Sequence, residues 1–328
     1  MQQEFEALRK IIDEKRRFVL TTHVNPDADG IGSELALAAF LNARGKETSI
    51  LNHHATPWHC RFLDPPRRVA EFDERRDSPL LLDAEVIFVL DANHPDRLGS
   101  LKPFVLQSRA FKICIDHHLE GDDFAGLNLI DEASAATGEI LYRLLTFIDE
   151  KAITEEIATC LYTAIMTDTG SFRFPKTNPE LHRIVADLIE RGADPVRTYQ
   201  QVYERSTSGR LRLLGRALAG LTMAHHDKLA YFVVTREMFR ETGTNEADTD
   251  NFISSALTIE GVQIGLMFTE MPDCVKISFR SKGDIPINLL ARDFGGNGHK
   301  NAAGARVHND KLVEIIARVL ERSQHYIP

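Results

Sequence analysis

The sequence predicts an α/β fold: an N-terminal, mostly parallel, doubly wound sheet and a smaller C-terminal α/β domain across a cleft. A chain of 328 residues is long enough for about two domains. In the N-terminal half, short β-branched or aromatic runs alternate with helical patterns, which is typical of a parallel sheet covered on both faces. A second strand-rich set follows a long helical stretch that contains no strand pattern.

The N-terminal elements follow from the spacing of apolar residues. An apolar stripe within residues 5–12 predicts an amphipathic first helix. Residues 25–33 predict a loop, and Glu34 begins the next predicted helix, with Gly45 as its stop signal. The predicted strands are residues 18–22, 48–52, 85–90 and 111–115, and the later predicted helices are residues 137–148 and 155–166.

The C-terminal half predicts the second domain. Residues 179–220 predict a helix and a helical connector. The later predicted strands are residues 229–235, 262–268 and 275–280, and the later predicted helices are residues 251–259, 286–294 and 312–322. The turn sequence MPDC indicates an antiparallel pair around it. We expect a first domain over residues 1–190, a connector over 191–215 and a second domain over 216–328.

Composition excludes several classes of protein. Hydrophobic residues make up 43% of the chain, which is ample for a folded core. A formal net charge of −9 is unlike that of proteins that coat long nucleic acids, so we expect no long duplex as partner. No apolar stretch approaches the roughly 18 residues of a membrane span, and the first residues do not resemble a secretory signal. The four cysteines lie far apart, which fits neither a disulfide framework nor a zinc site. We therefore expect a cytoplasmic protein without a membrane partner.

Acidic and histidine residues follow the predicted elements where each element ends. His23, Asp27 and Asp29 follow the first strand, Asp91 follows residues 85–90, Asp116, His117 and His118 follow residues 111–115, and Asp168 follows the helix at 155–166. Each aspartate alone is more typical of a turn or a helix cap. Because the carboxyl ends of parallel strands share one edge of a sheet, these side chains can converge there.

Convergence of so many carboxylates is costly unless cations are present. The mixture of carboxylate and imidazole donors suits Mn²⁺, with Mg²⁺ or Co²⁺ as alternatives. Six or seven ligands exceed what one ion needs, so we expect two ions about 3.5–4 Å apart that share one carboxylate and clamp a phosphoryl group. Two further histidine pairs, at residues 53–54 and 225–226, lack a preceding carboxylate, and we interpret them as structural or solvated.

Four motifs and a glycine-rich segment resemble those of the DHH phosphoesterases. The motifs are HVNPDADGIGS (residues 23–33), the aspartate of VLDANHPDRLG (Asp91), IDHH (115–118) and TDTGSFRF (167–174), and the segment FGGNGHKNAAGA (294–305) resembles the motif of the associated C-terminal domain. The resemblance spans nearly the whole chain. The sequence is similar to one short, two-domain branch of this family. That branch contains oligoribonucleases that act on very short RNA and phosphatases that act on 3′-phosphoadenosine 5′-phosphate (pAp).

The resemblance implies a role for each motif residue. One ion would be held by His23, Asp27 and Asp91, and the other by Asp29, Asp91, His117 and Asp168, with Asp91 shared. Asp116 would orient the histidines, and His118 would face the substrate phosphate, so these two are the predicted catalytic residues. In the C-terminal domain, the predicted substrate-binding residues are Arg280, Gly296, Gly298 and His299. A glycine-rich turn without a ligand is the structural alternative.

The leading hypothesis is a metal-dependent hydrolase that cleaves short oligoribonucleotides to nucleoside 5′-monophosphates and pAp to AMP and phosphate. A phosphodiesterase of cyclic or linear dinucleotides is the alternative. A non-catalytic nucleotide-binding regulator would require the loss of a ligand, and none is lost. The family resemblance also implies a possible homodimer.

Overall fold

A computed structural model describes residues 1–119, 121–308 and 310–327, apart from the side chain of His299. The chain forms two compact units, Met1–Arg205 and Ser206–Pro328, which divide inside the segment predicted as the connector. The predicted α/β class is confirmed, with a parallel sheet in the first unit and a second sheet in the smaller C-terminal unit. Within the described ranges, no helix is both long and apolar enough to cross a membrane.

The first unit is built on a parallel sheet with the strand order β3-β2-β1-β4-β5-β6. Its strands are β1 (Arg17–Thr21), β2 (Glu47–Asn52), β3 (Val69–Glu71), β4 (Val86–Leu90), β5 (Phe111–Asp116) and β6 (Leu127–Ile130). Its helices are α1 (Gln2–Glu14), α2 (Ala28–Ala43), α3 (Glu74–Asp83), α4 (Lys102–Gln107), α5 (Thr137–Asp149), α6 (Glu155–Asp168), α7 (Pro179–Glu190) and α8 (Pro195–Tyr203). The order reverses between β1 and β4, and such a switch point is where sheets of this kind bind ligands.

The central strands of this sheet are buried on both faces, because alternate side chains enter two different cores. Phe18 and Phe88 belong to the core that contains residues of α2, α5 and α6, whereas Val19 and Val89 belong to a second core with Leu81 of α3. Continuous apolar strands are the pattern of a parallel sheet covered on both sides. The apolar pattern therefore indicated these strands, and the four predicted strands of this unit differ from β1, β2, β4 and β5 by at most one residue at each end.

Helix α2 begins at Ala28, so the prediction of a loop over residues 25–33 is wrong. The Asp27 side chain caps the helix by accepting hydrogen bonds from the amides of Asp29 and Gly30 at 3.0 and 3.1 Å. Glycine and aspartate favour loops in isolation, but this first turn is buried by the rest of the unit. Tertiary packing therefore overrides local propensity, and the helix starts inside the acidic motif.

The second unit contains a mixed sheet with the order β11-β12-β10-β9-β8-β7, in which β8 and β9 are parallel and the other pairs antiparallel. Its strands are β7 (Thr222–Ala224), β8 (Leu229–Val234), β9 (Ile264–Glu270), β10 (Cys274–Ser281), β11 (Asn297–His299) and β12 (Ala302–His308). Its helices are α9 (Ser208–Ala219), α10 (Arg236–Thr242), α11 (Ile287–Arg292) and α12 (Leu312–Ser323). The predicted antiparallel pair around MPDC is β9 and β10.

The glycine-rich segment forms part of a hairpin rather than a free loop, because β11 pairs with β12. A Cβ atom on Gly296 would lie 2.3 Å from the carbonyl oxygen of Gly304, and one on Gly298 would lie 2.4 Å from that of Ala302. The amides of both glycines also donate hydrogen bonds within the unit, to Ala291 O and Asn297 Oδ1 at 2.8 Å. Close backbone packing therefore requires these glycines, and their role in substrate binding stays a prediction.

Helices α2 and α6 approach each other closely at Gly32. A Cβ atom at this position would lie 2.5 Å from the carbonyl oxygen of Cys160, a backbone atom of α6 that cannot move away on its own. Both helices carry residues of the candidate site, Asp29 on α2 and Asp168 on α6. The contact therefore sets the spacing of the two helices that carry these carboxylates.

Replacing Gly32 with Ala should destabilise the protein by about 1–3 kcal/mol, because an overpacked contact outweighs the roughly 1 kcal/mol by which Ala favours a helix over Gly. Gly215→Ala in α9 is the matched control, since its Cβ would meet no atom within 4 Å and Ala should stabilise that helix. Chemical denaturation of both variants measures the change. Equal stabilisation by the two substitutions would contradict the close contact at Gly32.

Candidate metal centre

The predicted metal ligands come together at one edge of the parallel sheet. They lie after β1, β4 and β5, at the start of α2 and at the end of α6. The ligand atoms form two groups in which they lie within 4.8 Å of one another: a first group of His23, Asp27 and Asp91, and a second group of Asp29, His117 and Asp168. Because β1 and β4 flank the switch point of the sheet, the centre lies where the topology leaves room for a ligand.

Asp91 belongs to the first group and also faces the second. Its Oδ2 atom lies 3.3 Å from Nε2 of His23, and its Oδ1 atom lies 3.6 Å from Nε2 of His117. The residue is buried and has a φ of 58°, which is uncommon for a residue other than glycine and costs conformational free energy. This backbone conformation turns the chain at the end of β4, and the carboxylate presents one oxygen to each group.

In the first group, His23 is oriented through its other ring nitrogen. Nδ1 donates a hydrogen bond to the carbonyl oxygen of Val24 at 2.8 Å, which leaves Nε2 as the atom that faces Asp91 and Asp27. Burial alone would lower the pKa of His23, but the Asp27 and Asp91 carboxylates raise it to about 10. The imidazole is therefore protonated at neutral pH, and a divalent cation held by Nε2 would have to displace that proton.

The second group is dominated by repulsion between carboxylates. Nε2 of His117 lies 3.3 Å from Oδ2 of Asp168 and 3.8 Å from Oδ2 of Asp29. Burial, together with the charges of Asp91 and Asp27, raises the pKa of Asp168 to about 8. Burial and the neighbouring carboxylates, with that of Asp91 first, raise the pKa of Asp29 well above its usual value. Without a cation, this group is charged only at a cost in free energy.

The start of α5 holds Asp29, a feature that the sequence analysis missed. The amides of Thr137 and Gly138 donate to Oδ2 and Oδ1 of Asp29 at 2.8 and 2.9 Å, and the Thr137 hydroxyl donates to Oδ1 of Asp91 at 3.1 Å. Helix N-termini favour negative charge because their first amides lack partners within the helix. The predicted helix start at residue 137 was the available signal, but only the fold reveals which carboxylate it faces.

Asp116 and His118 form a pair beside the two groups. Oδ1 of Asp116 accepts hydrogen bonds from Nδ1 of His118 and from the amide of His117, both at 2.6 Å. Burial alone would lower the pKa of His118, but its hydrogen bond to the Asp116 carboxylate and the charge of Asp91 raise it. The predicted orienting contact from Asp116 is therefore present for the His118 ring and for the backbone that carries His117.

The donor set fits divalent cations. Among the described residues, Nε2 of His23, both ring nitrogens of His117 and Oδ2 of Asp116 are buried without a hydrogen-bond partner. Buried polar atoms without partners are rare because each costs free energy. Imidazole nitrogens and carboxylate oxygens converge here from separate strands, and this chemistry suits Mn²⁺, Mg²⁺ or Co²⁺. The cluster can therefore hold metal ions.

In the second unit, Arg280 lies on β10 and is half-buried. Its guanidinium donates to the carbonyl oxygen of Phe279 at 3.0 Å, and no carboxylate in the described part of the chain forms an ion pair with it. Burial lowers the pKa of Arg280, while the charge of Asp250 acts in the opposite direction. A half-buried cation without an ion-pair partner is suited to an anionic ligand. The predicted contact from the His299 side chain lies outside the described residues.

Comparisons with known proteins agree with these features. The DHH family, N-terminal domain, matches residues 17–165, and the DHHA1 domain matches residues 226–324. The bifunctional oligoribonuclease and PAP phosphatase NrnA of Thermus thermophilus is 33% identical over 92% of this chain and 87% of its own length. The crystal structure of an exopolyphosphatase-related protein from Bacteroides fragilis has a TM-score of 0.95 at 30% identity, with coverage of 99% of this chain and 97% of that one.

A more distant relative acts on a cyclic dinucleotide, the substrate class of the alternative hypothesis. The cyclic-di-AMP phosphodiesterase PdeA of Listeria monocytogenes is 24% identical over 98% of this chain but only 49% of its own length. The chain therefore spans about half of that protein. The matched domains and the 33% identity to a relative of similar length carry the assignment: the chain belongs to the DHH family of phosphoesterases, as its motifs predicted.

Proposed function

We propose that the chain is a two-metal hydrolase that cleaves short oligoribonucleotides to nucleoside 5′-monophosphates and pAp to AMP and phosphate. The observation that carries the proposal is the position of Asp91, whose two oxygens face two separate histidine and aspartate groups. The similarity to a relative named as an oligoribonuclease and PAP phosphatase supports the substrate class. The dinucleotide alternative has weaker support, because its relative shares less sequence and is about twice as long.

The first group would hold one divalent ion and the second group the other, with Asp91 shared. We favour Mn²⁺, with Mg²⁺ and Co²⁺ as alternatives, because the donors are a mixture of oxygen and imidazole nitrogen. When bound, a pair of such ions supplies Lewis-acid stabilisation of phosphoryl charge and a more acidic water. Asp29, held by the start of α5, and His23, held through its Nδ1 atom, would keep their ligand atoms oriented.

The remaining residues would bind the substrate. Asp116 keeps the His118 imidazole in one orientation and favours its protonated form, which suits contact with a phosphate oxygen. Arg280 would bind another phosphate of the nucleotide, because its guanidinium offers several donors to a planar or tetrahedral anion. Short substrates are also consistent with the net charge of −9, which opposes binding along a long polyanion.

The direct test of the proposal is hydrolysis by the purified chain. With Mn²⁺ present, we expect release of nucleoside 5′-monophosphates from RNA of about two to five nucleotides, and release of phosphate from pAp. Chromatography of the products and a phosphate assay measure these reactions. A cyclic dinucleotide and its linear form, assayed side by side, test the alternative. Absence of turnover on every short RNA and on pAp would reject the proposal.

Replacing Asp91 with Asn should lower kcat/KM by about 10³-fold or more, because losing several kcal/mol of charge stabilisation in the transition state has that effect. Steady-state kinetics with pAp measure the loss. Asp83→Asn is the matched control, since Asp83 is an exposed aspartate whose side chain is 80% accessible. Unchanged turnover in the Asp91 variant would contradict the shared-ligand assignment.

Mn²⁺ binding should release protons and should strengthen as the pH rises from 6 to 9. In the metal-free protein, the pKa of His23 is raised to about 10 and that of Asp168 to about 8, so both groups hold protons at pH 7 that a cation must displace. Titration calorimetry in two buffers with different ionisation enthalpies counts the released protons. His23→Ala should release fewer. Equal affinity at pH 6 and pH 9 would be inconsistent with these protonation states.

Replacing Arg280 with Met should raise the KM for pAp by about 10-fold or more, because a charged hydrogen bond contributes about 1.5–3 kcal/mol. We expect a smaller change in kcat, since the residue binds the substrate without contributing to the metal centre. The matched control is Arg212→Met, which changes an exposed arginine on α9 of the same unit. A fall in kcat with an unchanged KM would argue against phosphate binding by Arg280.

A further inference from the structure

A buried polar pair lies behind the first group of the metal centre. Glu34 on α2 and Asn52 at the end of β2 are both fully buried, and neither belongs to the motifs that the sequence analysis identified. The Asn52 amide nitrogen donates to Oε2 of Glu34 at 2.8 Å. The other Glu34 oxygen has no hydrogen-bond partner among the residues that the structure describes.

The pair is connected to the residue that precedes His23. The side-chain oxygen Oδ1 of Asn52 accepts a hydrogen bond from the amide of Thr22 at 3.2 Å. The paired register of β1 and β2 extends only to Leu20 and Ile50, so this side chain supplies a contact beyond the regular ladder. The chain of contacts therefore runs from α2 through Asn52 to the backbone at the end of β1.

A glycine allows β1 to approach the helix at the same place. A Cβ atom on Gly30 would lie 2.5 Å from the Thr22 hydroxyl oxygen, so Thr22 packs directly against the first turn of α2. Glu34 follows one turn later on the same side of the helix. Thr22 is thus held by a hydrogen bond from the direction of β2 and by close packing from the direction of α2.

Stability alone does not account for a polar pair at this depth. A buried carboxyl group loses its hydration, and a single hydrogen bond compensates for only part of that loss. Apolar residues of similar volume are often equally or more stabilising at such positions. What the pair supplies, and an apolar side chain cannot, is a fixed acceptor for the amide of Thr22.

We propose that Glu34 and Asn52 are positioning residues that hold the backbone before His23, and thereby set the affinity of the first group for its divalent ion. The inference rests on the proposed function, because it takes that function's first metal position as given. Among the described residues, no hydrogen bond or ion pair joins either side chain to a ligand atom of the centre. Support of this indirect kind is known to change metal affinity, since a ligand that is not held in place must be ordered on binding.

The test is Mn²⁺ binding by titration calorimetry to wild type and to Asn52→Ala and Glu34→Ala. We expect two binding steps in wild type, and a loss of about 10–100-fold in affinity in one step only for both variants. Glu34→Gln should bind as wild type does, because it keeps the oxygen that accepts from Asn52. Burial raises the pKa of Glu34 to about 8, so the glutamine also preserves the neutral charge at pH 7.

Leu188→Ala is the control for a general loss of stability, since Leu188 is a fully buried core residue of α7. It should lower the melting temperature and leave both binding steps unchanged. If Asn52→Ala does not fold, Asn52→Ser serves as the milder variant. Unchanged affinity in the Asn52 and Glu34 variants would overturn the inference and leave the proposed function standing. A wild-type chain that binds no Mn²⁺ would instead overturn both.

Discussion

The main constraint on the first unit is the mutual repulsion of the carboxylates that its fold brings to one edge of the sheet. Buried Asp29 and Asp91 and half-buried Asp168 lie close enough for their charges to repel one another, with little water to screen them. The surrounding groups reduce this cost, through the two amides of α5 on Asp29 and the protonated imidazole of His23 beside Asp91. These contacts hold the carboxylates in place but do not neutralise all of their charge. Bound cations would neutralise the remainder.

The topology of the sheet explains why these residues can meet. β1 and β4 are adjacent although a long stretch of chain separates them, and their carboxyl ends deliver His23 and Asp91 to the same place. Soon after His23 the chain enters α2, so Asp27 caps this helix and also faces His23. A change in the start of α2 would therefore alter ligand geometry and helix capping together.

The sequence was sufficient for the strands with longer apolar runs, because such runs are local features, but it did not predict β3, β6, β7, β11 or β12. It was insufficient for contacts made between distant segments. Asp29 and Thr137 lie 108 residues apart, and Asn52 supports Thr22 from a neighbouring strand. The start of α2 was mispredicted for the same reason, since its glycines and aspartates form a helix only when the rest of the unit buries them.

The same electrostatics explains how an acidic chain can act on anions. Without a cation, the ionised aspartates of the two groups repel a phosphate, and Asp168, whose pKa is raised to about 8, holds a proton at pH 7. Two divalent ions would displace the bound protons and balance the charges of the four ionised aspartates, so that the edge of the sheet no longer repels an anion. In the second unit, Arg280 needs no such ion, because its own charge is left without an ion-pair partner among the described residues. Positive charge would therefore be local in both units, at the bound ions in the first and at Arg280 in the second.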